Sequence, residues 1–493
     1  MNYKSTRDSR LNPVSVSSAE AIKEGLAPDG GLYIPESFPA LTEADLTALC
    51  AMPYAERAAF ILARFLDDYD ADGLLADCRE AYSEARFPGG AAPLHELPGG
   101  IYSLELWHGP TSAFKDMALQ LMPRLLSRAL VMTGEKRISH ILVATSGDTG
   151  KAALEGYRDV PGVKITVFYP VDGVSRMQKL QMQTTKGGNV NVVAVRGNFD
   201  DAQNGVKAIF GDTSLADKAD KAGFFFGSAN SINWGRLVPQ IVYYVSAYCD
   251  LINEKKIKMG EKINVCVPTG NFGNIFAATI ARMMGLPVGR LICASNSNNV
   301  LTDFFETGTY DRTRTFFKTI SPSMDILISS NLERLLSVTG GAELCASLMN
   351  ELKQNGRYTA PAELMATLRS QFAAYYLNED ETKATIGDTW KNDRYLIDPH
   401  TAVGLGAVKK YRAETGDDTP VVLASTASPF KFAPAVCEAI GIPQKDDIFA
   451  LLGDLSDATG APIPQPLAAT QSLPVRFERV IDPADMPGVP FGN

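Results

Sequence analysis

From residue 96 onward, short apolar runs alternate with helix-period stretches, and this alternation constrains the fold more than any other feature. The runs lie at 140–144, 163–169, 190–195, 264–267, 291–294 and 421–424. Most are followed by a turn rich in glycine or hydroxyl groups and then by a helical pattern. Strands this short and apolar are buried on both faces, and helices between them return the chain for parallel pairing. The expectation is an α/β fold built on a largely parallel sheet. In such sheets ligands sit outside the carboxyl ends of the strands. Two loops fall there: TSGDTG at 145–150 and PTGNFGN at 268–274.

Around this core, 96–300, the remaining chain divides by pattern. Residues 1–95 read as a small, mostly helical domain. A helix starts there with Ser17 or Ser18 as cap and Glu20 in its first turn. Gly30 and Gly31 permit a turn, and helix-period residues recur at 42–50, 54–65 and 71–87. PGGAAP, 88–93, reads as a linker. Residues 301–395 are richer in polar and helical patterning and read as an insertion or subdomain. Residues 396–460 return to the core, and the proline-rich 461–493 is expected as an extended arm.

A chain of 493 residues is long enough for two or three domains. A formal charge of −9 gives no long-range attraction for nucleic acid or an anionic membrane, so neither is expected as a partner. The seven cysteines are scattered with no CxxC pair, which disfavours a disulfide framework or zinc site and fits a reducing cytoplasm. Four histidines, all far apart, give no metal pattern. The polar N-terminus carries no signal-peptide pattern, and no run of eighteen apolar residues occurs.

Lys115 is the residue the loops single out. A turn on Gly109 and Pro110 leads through Thr111 and Ser112 into a helix predicted over 113–126. That puts Lys115 in or beside the first turn, where the helix dipole disfavours a cation. A neutral amine for Schiff-base chemistry is helped by such a place, although a lone lysine there is also an ordinary solvated residue. PTGNFGN can converge backbone N–H groups on a phosphate at a helix N-terminus, with Gly270 and Gly273 allowing close approach and Asn271 and Asn274 as donors. It lacks Walker-A spacing, and a tight turn without a ligand is the alternative. TSGDTG suits a small carboxylate, or merely caps its helix. In ANSINWGR, 229–236, Arg236 and Ser231 can hold a phosphate, or simply start a helix. Thr426 places a small hydroxyl just past a strand, where it can equally be a turn residue. Together these fit a pyridoxal-phosphate enzyme acting on a phosphorylated amino acid.

HGPTSAFKD, TSGDTG, ANSINWGR and PTGNFGN, in this order, resemble the threonine synthase family of fold-type-II pyridoxal-phosphate enzymes. YKSTR, GLAPDGGLYIP and SPSMDILISSNLERLL resemble its longer, bacterial and fungal branch, and the similarity runs from residue 2 to about 435. The resemblance implies a tryptophan-synthase-β-like parallel-sheet core with a small helical N-terminal domain and a helical insertion. It implies that Lys115 forms the Schiff base with pyridoxal 5'-phosphate. Gly270, Asn271, Phe272, Gly273 and Asn274 match the loop that holds the cofactor's phosphate. Thr426 matches the residue facing the pyridine nitrogen, and Asp148 lies near the position facing the phenolic oxygen. Thr145, Ser146 and Thr149 match the loop gripping the substrate carboxylate; Asn230, Ser231 and Arg236 match residues binding the substrate's phosphate.

One departure is TASPFKF where the family commonly has TAHPAKF: Ser428 and Phe430 differ, while Thr426 and Lys431 are kept. The implied reaction turns O-phospho-L-homoserine and water into L-threonine and phosphate, by loss of phosphate from the γ-carbon and hydration of the β-carbon. The alternatives are another lyase of the same fold, such as a threonine dehydratase or a phosphohomoserine-degrading relative, or a non-catalytic metabolite-binding relative. A monomer or homodimer is expected.

Overall fold

The apolar runs pair as parallel strands, but in two sheets. Ile138–Ala144, Val163–Pro170 and Val190–Val195 form the middle of a five-stranded parallel sheet, flanked by Phe224–Gly227 and Val480–Ile481. The other sheet runs Phe372–Tyr376, Val288–Ser295, Ile263–Pro268, Val421–Ser425, Ile101–Glu105, Leu94–Leu97, and only its last pair is antiparallel. The computed structural model describes every residue except 146, 173 and 493. Every residue of Ile263–Pro268 and Val421–Ser425 is buried, as two-sided helix cover requires. An apolar run announces that burial but not its neighbour, so the pattern leaves the division into two sheets unread.

Three sequence expectations change. The helix predicted over 113–126 is two helices, Lys115–Leu119 and Met122–Met132. Pro123 has no N–H and its ring would strike the carbonyl of residue 119, so it can only open a new helix. Residues 301–395 are not wholly peripheral, because Phe372–Tyr376 is an edge strand of the six-stranded sheet. The arm expected at the end of the chain is packed, and it carries a strand and a 3-10 segment. Val480–Ile481 pairs with Val190–Val195, and the 3-10 segment Pro483–Phe491 packs its Met486 and Val489 into the core beside Val206 and Ile209.

The N-terminal region holds helices Ser18–Glu24, Glu43–Cys50, Tyr54–Leu62 and Ala71–Ala81, with an antiparallel pair, Tyr3–Ser5 and Tyr33–Pro35. Ser17 is the cap, in a capping box with Glu20. These elements share a core with the sheets rather than forming their own. Trp234 is fully buried against Tyr3 and Phe65, and burying Phe65 alone is worth roughly 3 kcal/mol. Buried Arg57 ties this region to the helix Pro239–Asn253 through Ser246 at 2.7 Å and Asp250 at 2.6 Å.

Candidate active site

Lys115 is the first residue of its helix and is 8% exposed. The turn before it is stitched at both ends. Asp116 accepts from the Thr111 N–H at 2.8 Å and hydroxyl at 2.7 Å, while Ser112 takes a positive φ of 57°. The Phe114 N–H donates to the Thr426 carbonyl at 2.8 Å, and the Ser428 N–H to the Ser112 carbonyl at 3.1 Å. Thr426 follows the buried strand Val421–Ser425, so the lysine turn is anchored on the end of that strand. Burial pushes the Asp116 carboxyl up to about 6.

The amine of Lys115 faces Asp148, which opens the helix Asp148–Tyr157 at the end of Ile138–Ala144. Lys115 Nζ is 3.6 Å from Asp148 Oδ2. Lys431 Nζ lies 2.9 Å from Asp148 Oδ1, and Gln178 Nε2 donates to that oxygen at 2.8 Å. Ser323 Oγ accepts from Lys115 Nζ at 3.1 Å and reaches Asp148 Oδ2 at 3.3 Å. Burial lowers the Lys115 ammonium below the usual lysine range; Asp148 opposes this, while Lys431 and Arg236 add to it. Burial alone would raise the Asp148 carboxyl, but Lys431 and Lys115 outweigh it and hold Asp148 well below the usual range. The result is an ionised carboxylate beside an amine biased toward its neutral, nucleophilic form.

PTGNFGN leads into the N-terminus of the eleven-residue helix Gly273–Met283. Phe272 sits in the left-handed region at φ 63°, ψ −1°, strain of about 1 kcal/mol, held by packing on Phe305 and Phe372. That conformation turns successive N–H groups to one side. Ser329 and Asn331 seal the outer carbonyls of Gly270 and Asn271 at 2.6 and 3.0 Å. Asn274 accepts from Tyr243 at 2.6 Å and also from Tyr244, yet its buried Nδ2 has no partner. A buried, unpartnered amide donor at a helix N-terminus fits a phosphate monoester.

The arginine loop adjoins PTGNFGN. A Cβ built on Gly273 would lie 3.7 Å from Ser231 Cβ. Asn230 holds the local turn through its carbonyl, which accepts the Asn233 N–H at 3.2 Å. Arg236 is 3% exposed and donates to the Ala229 carbonyl at 2.6 Å, while its Nε has no partner and no carboxylate among the described residues pairs with it. Burial pushes its guanidinium down to about 10. A buried cation without a counter-ion is costly, and an anionic ligand would relieve it.

In TSGDTG the Thr145 oxygen accepts from the Gly147 and Gly150 N–H groups, each at 2.9 Å, so it caps its own loop. Thr149 is half-buried in the first helical turn. Ser146 lies outside the described residues. A cavity of about 820 Å³ lies behind the Gly109–Ser112 turn, lined by Trp107, Ser112, Lys151 and Ser428 among others; Lys115 is not one of its walls. The chemistry is therefore placed by the side chains named above and not by this cavity.

Sequence reasoning missed Gln178 and Ser323, and gave Lys431 no role. Lys431 carried a faint signal, a lysine between two phenylalanines, which is an odd place for a solvated charge. Ser323 lies in SPSMDI, whose pattern carries no chemistry until the fold brings it to Lys115.

An amine-bearing lysine, a carboxylate and a glycine-rich helix N-terminus, on an α/β frame, define a pyridoxal-phosphate-dependent enzyme. The family described as pyridoxal-phosphate dependent enzyme matches residues 86–427. The threonine synthase N-terminus family matches 2–82 and the threonine synthase C-terminal family 401–486. The threonine synthase of Pseudomonas aeruginosa is 39% identical over 92% of this chain and 93% of its own. A crystal structure of pyridoxal-phosphate-bound threonine synthase from Brucella melitensis superposes with a TM-score of 0.86 at 36% identity, covering 98% of this chain and 97% of that one. Human threonine synthase-like 1 is 41% identical over 86% of this chain, which spans 58% of that protein's length. The chain belongs to the threonine synthase family.

Proposed function

We propose that the protein converts O-phospho-L-homoserine and water into L-threonine and phosphate. Buried Arg236, with an unpartnered Nε and no carboxylate partner among the described residues, carries this reading, because a second anion site beside the cofactor loop is needed only for a phosphorylated substrate. Gly270, Asn271, Phe272, Gly273 and Asn274 would hold the cofactor's phosphate, with Thr426 toward the ring nitrogen. When bound, the cofactor supplies an electron sink for negative charge beside the substrate's amino group. The rest follows from the chain's own groups. Lys115 Nζ, biased toward the neutral amine, takes the proton at the substrate's α-carbon. Thr145, Ser146 and Thr149 hold the carboxylate, while Arg236, Asn230 and Ser231 hold the phosphate. Gripping both ends keeps the breaking C–H and C–O bonds aligned. Asp148, ionised by two lysines, keeps a fixed negative charge beside the amine throughout.

Cytoplasmic work is part of the same reading: all seven cysteines are unpaired, and six are buried. No described helix is long and apolar enough to cross a membrane. A monomer or homodimer is consistent with it.

Arg236→Ala tests the substrate assignment. It should cut kcat/KM for phosphohomoserine by about 100-fold, as loss of a charge-assisted pair does, while cofactor uptake stays intact. Unchanged turnover would sink the assignment. Release of a 2-oxo acid in place of threonine would favour the phosphohomoserine-degrading alternative.

A further inference from the structure

Ser323 is met by four separate parts of the chain. Its carbonyl overhangs the cofactor loop, since a Cβ on Gly270 would come within 2.7 Å of that oxygen. Its hydroxyl lies between Lys115 and Asp148. Its amide N–H donates to His400 Nε2 at 3.2 Å. An amide can only donate, so Nε2 carries no proton and the imidazole proton is on Nδ1, 2.7 Å from Asp398 Oδ1.

Asp398 is fully buried and caps the helix Pro399–Thr415. Besides the imidazole, its carboxylate accepts from the His400 N–H at 2.8 Å, the Thr401 N–H at 3.3 Å and the Thr401 hydroxyl. Four donors leave the carboxylate no freedom to turn, which fixes the ring's plane and tautomer. His400 is 2% exposed, with the Phe432 ring 4.8 Å away. The segment it grips is a single 3-10 turn, Pro322–Met324. Its far side is tied down at Asp325, which accepts from Thr319, Asn296 and Asn298. His400 is the tether at Ser323 itself.

We propose that Ser323 is a catalytic residue that aims the Lys115 amine, and that Asp398 and His400 are positioning residues acting through the Ser323 amide. This rests on Lys115 being the reactive amine and not on the identity of the substrate. The pair reaches Lys115 through the Ser323 amide and hydroxyl, while Asp398 also holds Thr401, whose hydroxyl meets Ser425 Oγ at 3.1 Å.

A double-mutant cycle tests it, read as the rate at which the full-length apoenzyme takes up pyridoxal phosphate by absorbance. Ser323→Ala and His400→Leu should each slow uptake about 10-fold, through a misplaced amine. Combined, they should be no slower than either alone, because both remove one device. His400→Gln, whose carbonyl can accept the same amide, should stay within about three-fold of wild type. Effects that multiply, or a Ser323→Ala rate within about two-fold of wild type, would overturn the proposal. Should His400→Leu not fold, amide exchange at Ser323 in His400→Gln replaces that arm, with retained protection expected and wild-type uptake without protection contradicting the tether. Wild-type uptake without phosphohomoserine turnover would remove the substrate assignment and leave this cycle readable.

Discussion

Asp148 Oδ1 lies 2.9 Å from Lys431 Nζ, deep in the molecule, with Lys115 on the other carboxylate oxygen. One carboxylate thus serves two lysines, and the lysine it serves less closely is the one whose neutral form is useful. Replacing Lys431 by methionine removes a like charge that lowers Lys115, so the Lys115 ammonium should hold its proton to higher pH. The pH dependence of cofactor uptake should then shift upward. Asp148→Asn removes the group that raises Lys115, so its shift should run downward, and it should also cost about 3 kcal/mol for leaving buried Lys431 without its counter-ion. Shifts of the same sign in both variants would contradict this arrangement.

Lys115 itself is a stability liability. Its burial disfavours the ammonium, so at neutral pH the unfolded chain binds the proton more readily than the folded one. Lys115→Ala should abolish turnover yet raise the stability of the apoprotein by about 1 kcal/mol, as removal of functional strain does. Calorimetry of the two apoproteins checks this, and an unchanged or lower Tm would contradict it.

Gly156 sets how closely the helix Asp148–Tyr157 approaches Lys115–Leu119. A Cβ there would lie 1.8 Å from the Leu119 carbonyl oxygen, a backbone atom that cannot step aside. Gly156→Ala should therefore cost about 3 kcal/mol by urea unfolding and separate Asp148 from Lys115. A variant as stable as wild type would mean the two helices are not so tightly apposed.

His140 gives the pH dependence of folding. It is buried beside Thr166, 2.9 Å away, and burial lowers it to about 4. Between about 4 and the ordinary value of 6.5 the unfolded chain binds a proton that the folded one does not. Stability from this group is present above 6.5 and is lost as pH falls toward 4, on the order of 3 kcal/mol. His140→Gln should flatten that part of the stability–pH curve, and an equally steep curve would assign the loss to other groups.

The strands and loops were legible because burial on both faces leaves an apolar run, and a strand-end turn needs glycine or a hydroxyl. The 145–150 and 268–274 loops are local signals of that kind, whereas Lys115 alone reads as an ordinary helix residue and Asp148 takes its place from the family resemblance. What could not be read depends on pairing across long stretches of chain. Ser323 meets Lys115 across 208 positions, and Val480–Ile481 completes a sheet begun near residue 138. Nothing in SPSMDI or in the proline-rich end announces such a partner. Pro123 was the opposite case, a plain signal that a continuous helix could not accommodate.

On the proposed function, Arg236 and the 270–274 loop hold two phosphates, one on the cofactor and one on the substrate, around Lys115. The direct measurement is phosphate release from O-phospho-L-homoserine by the cofactor-loaded protein, with the organic product identified in the same sample. Equimolar phosphate and L-threonine are the predicted result. Loaded protein that releases no phosphate, or releases it without threonine, would contradict the proposed reaction.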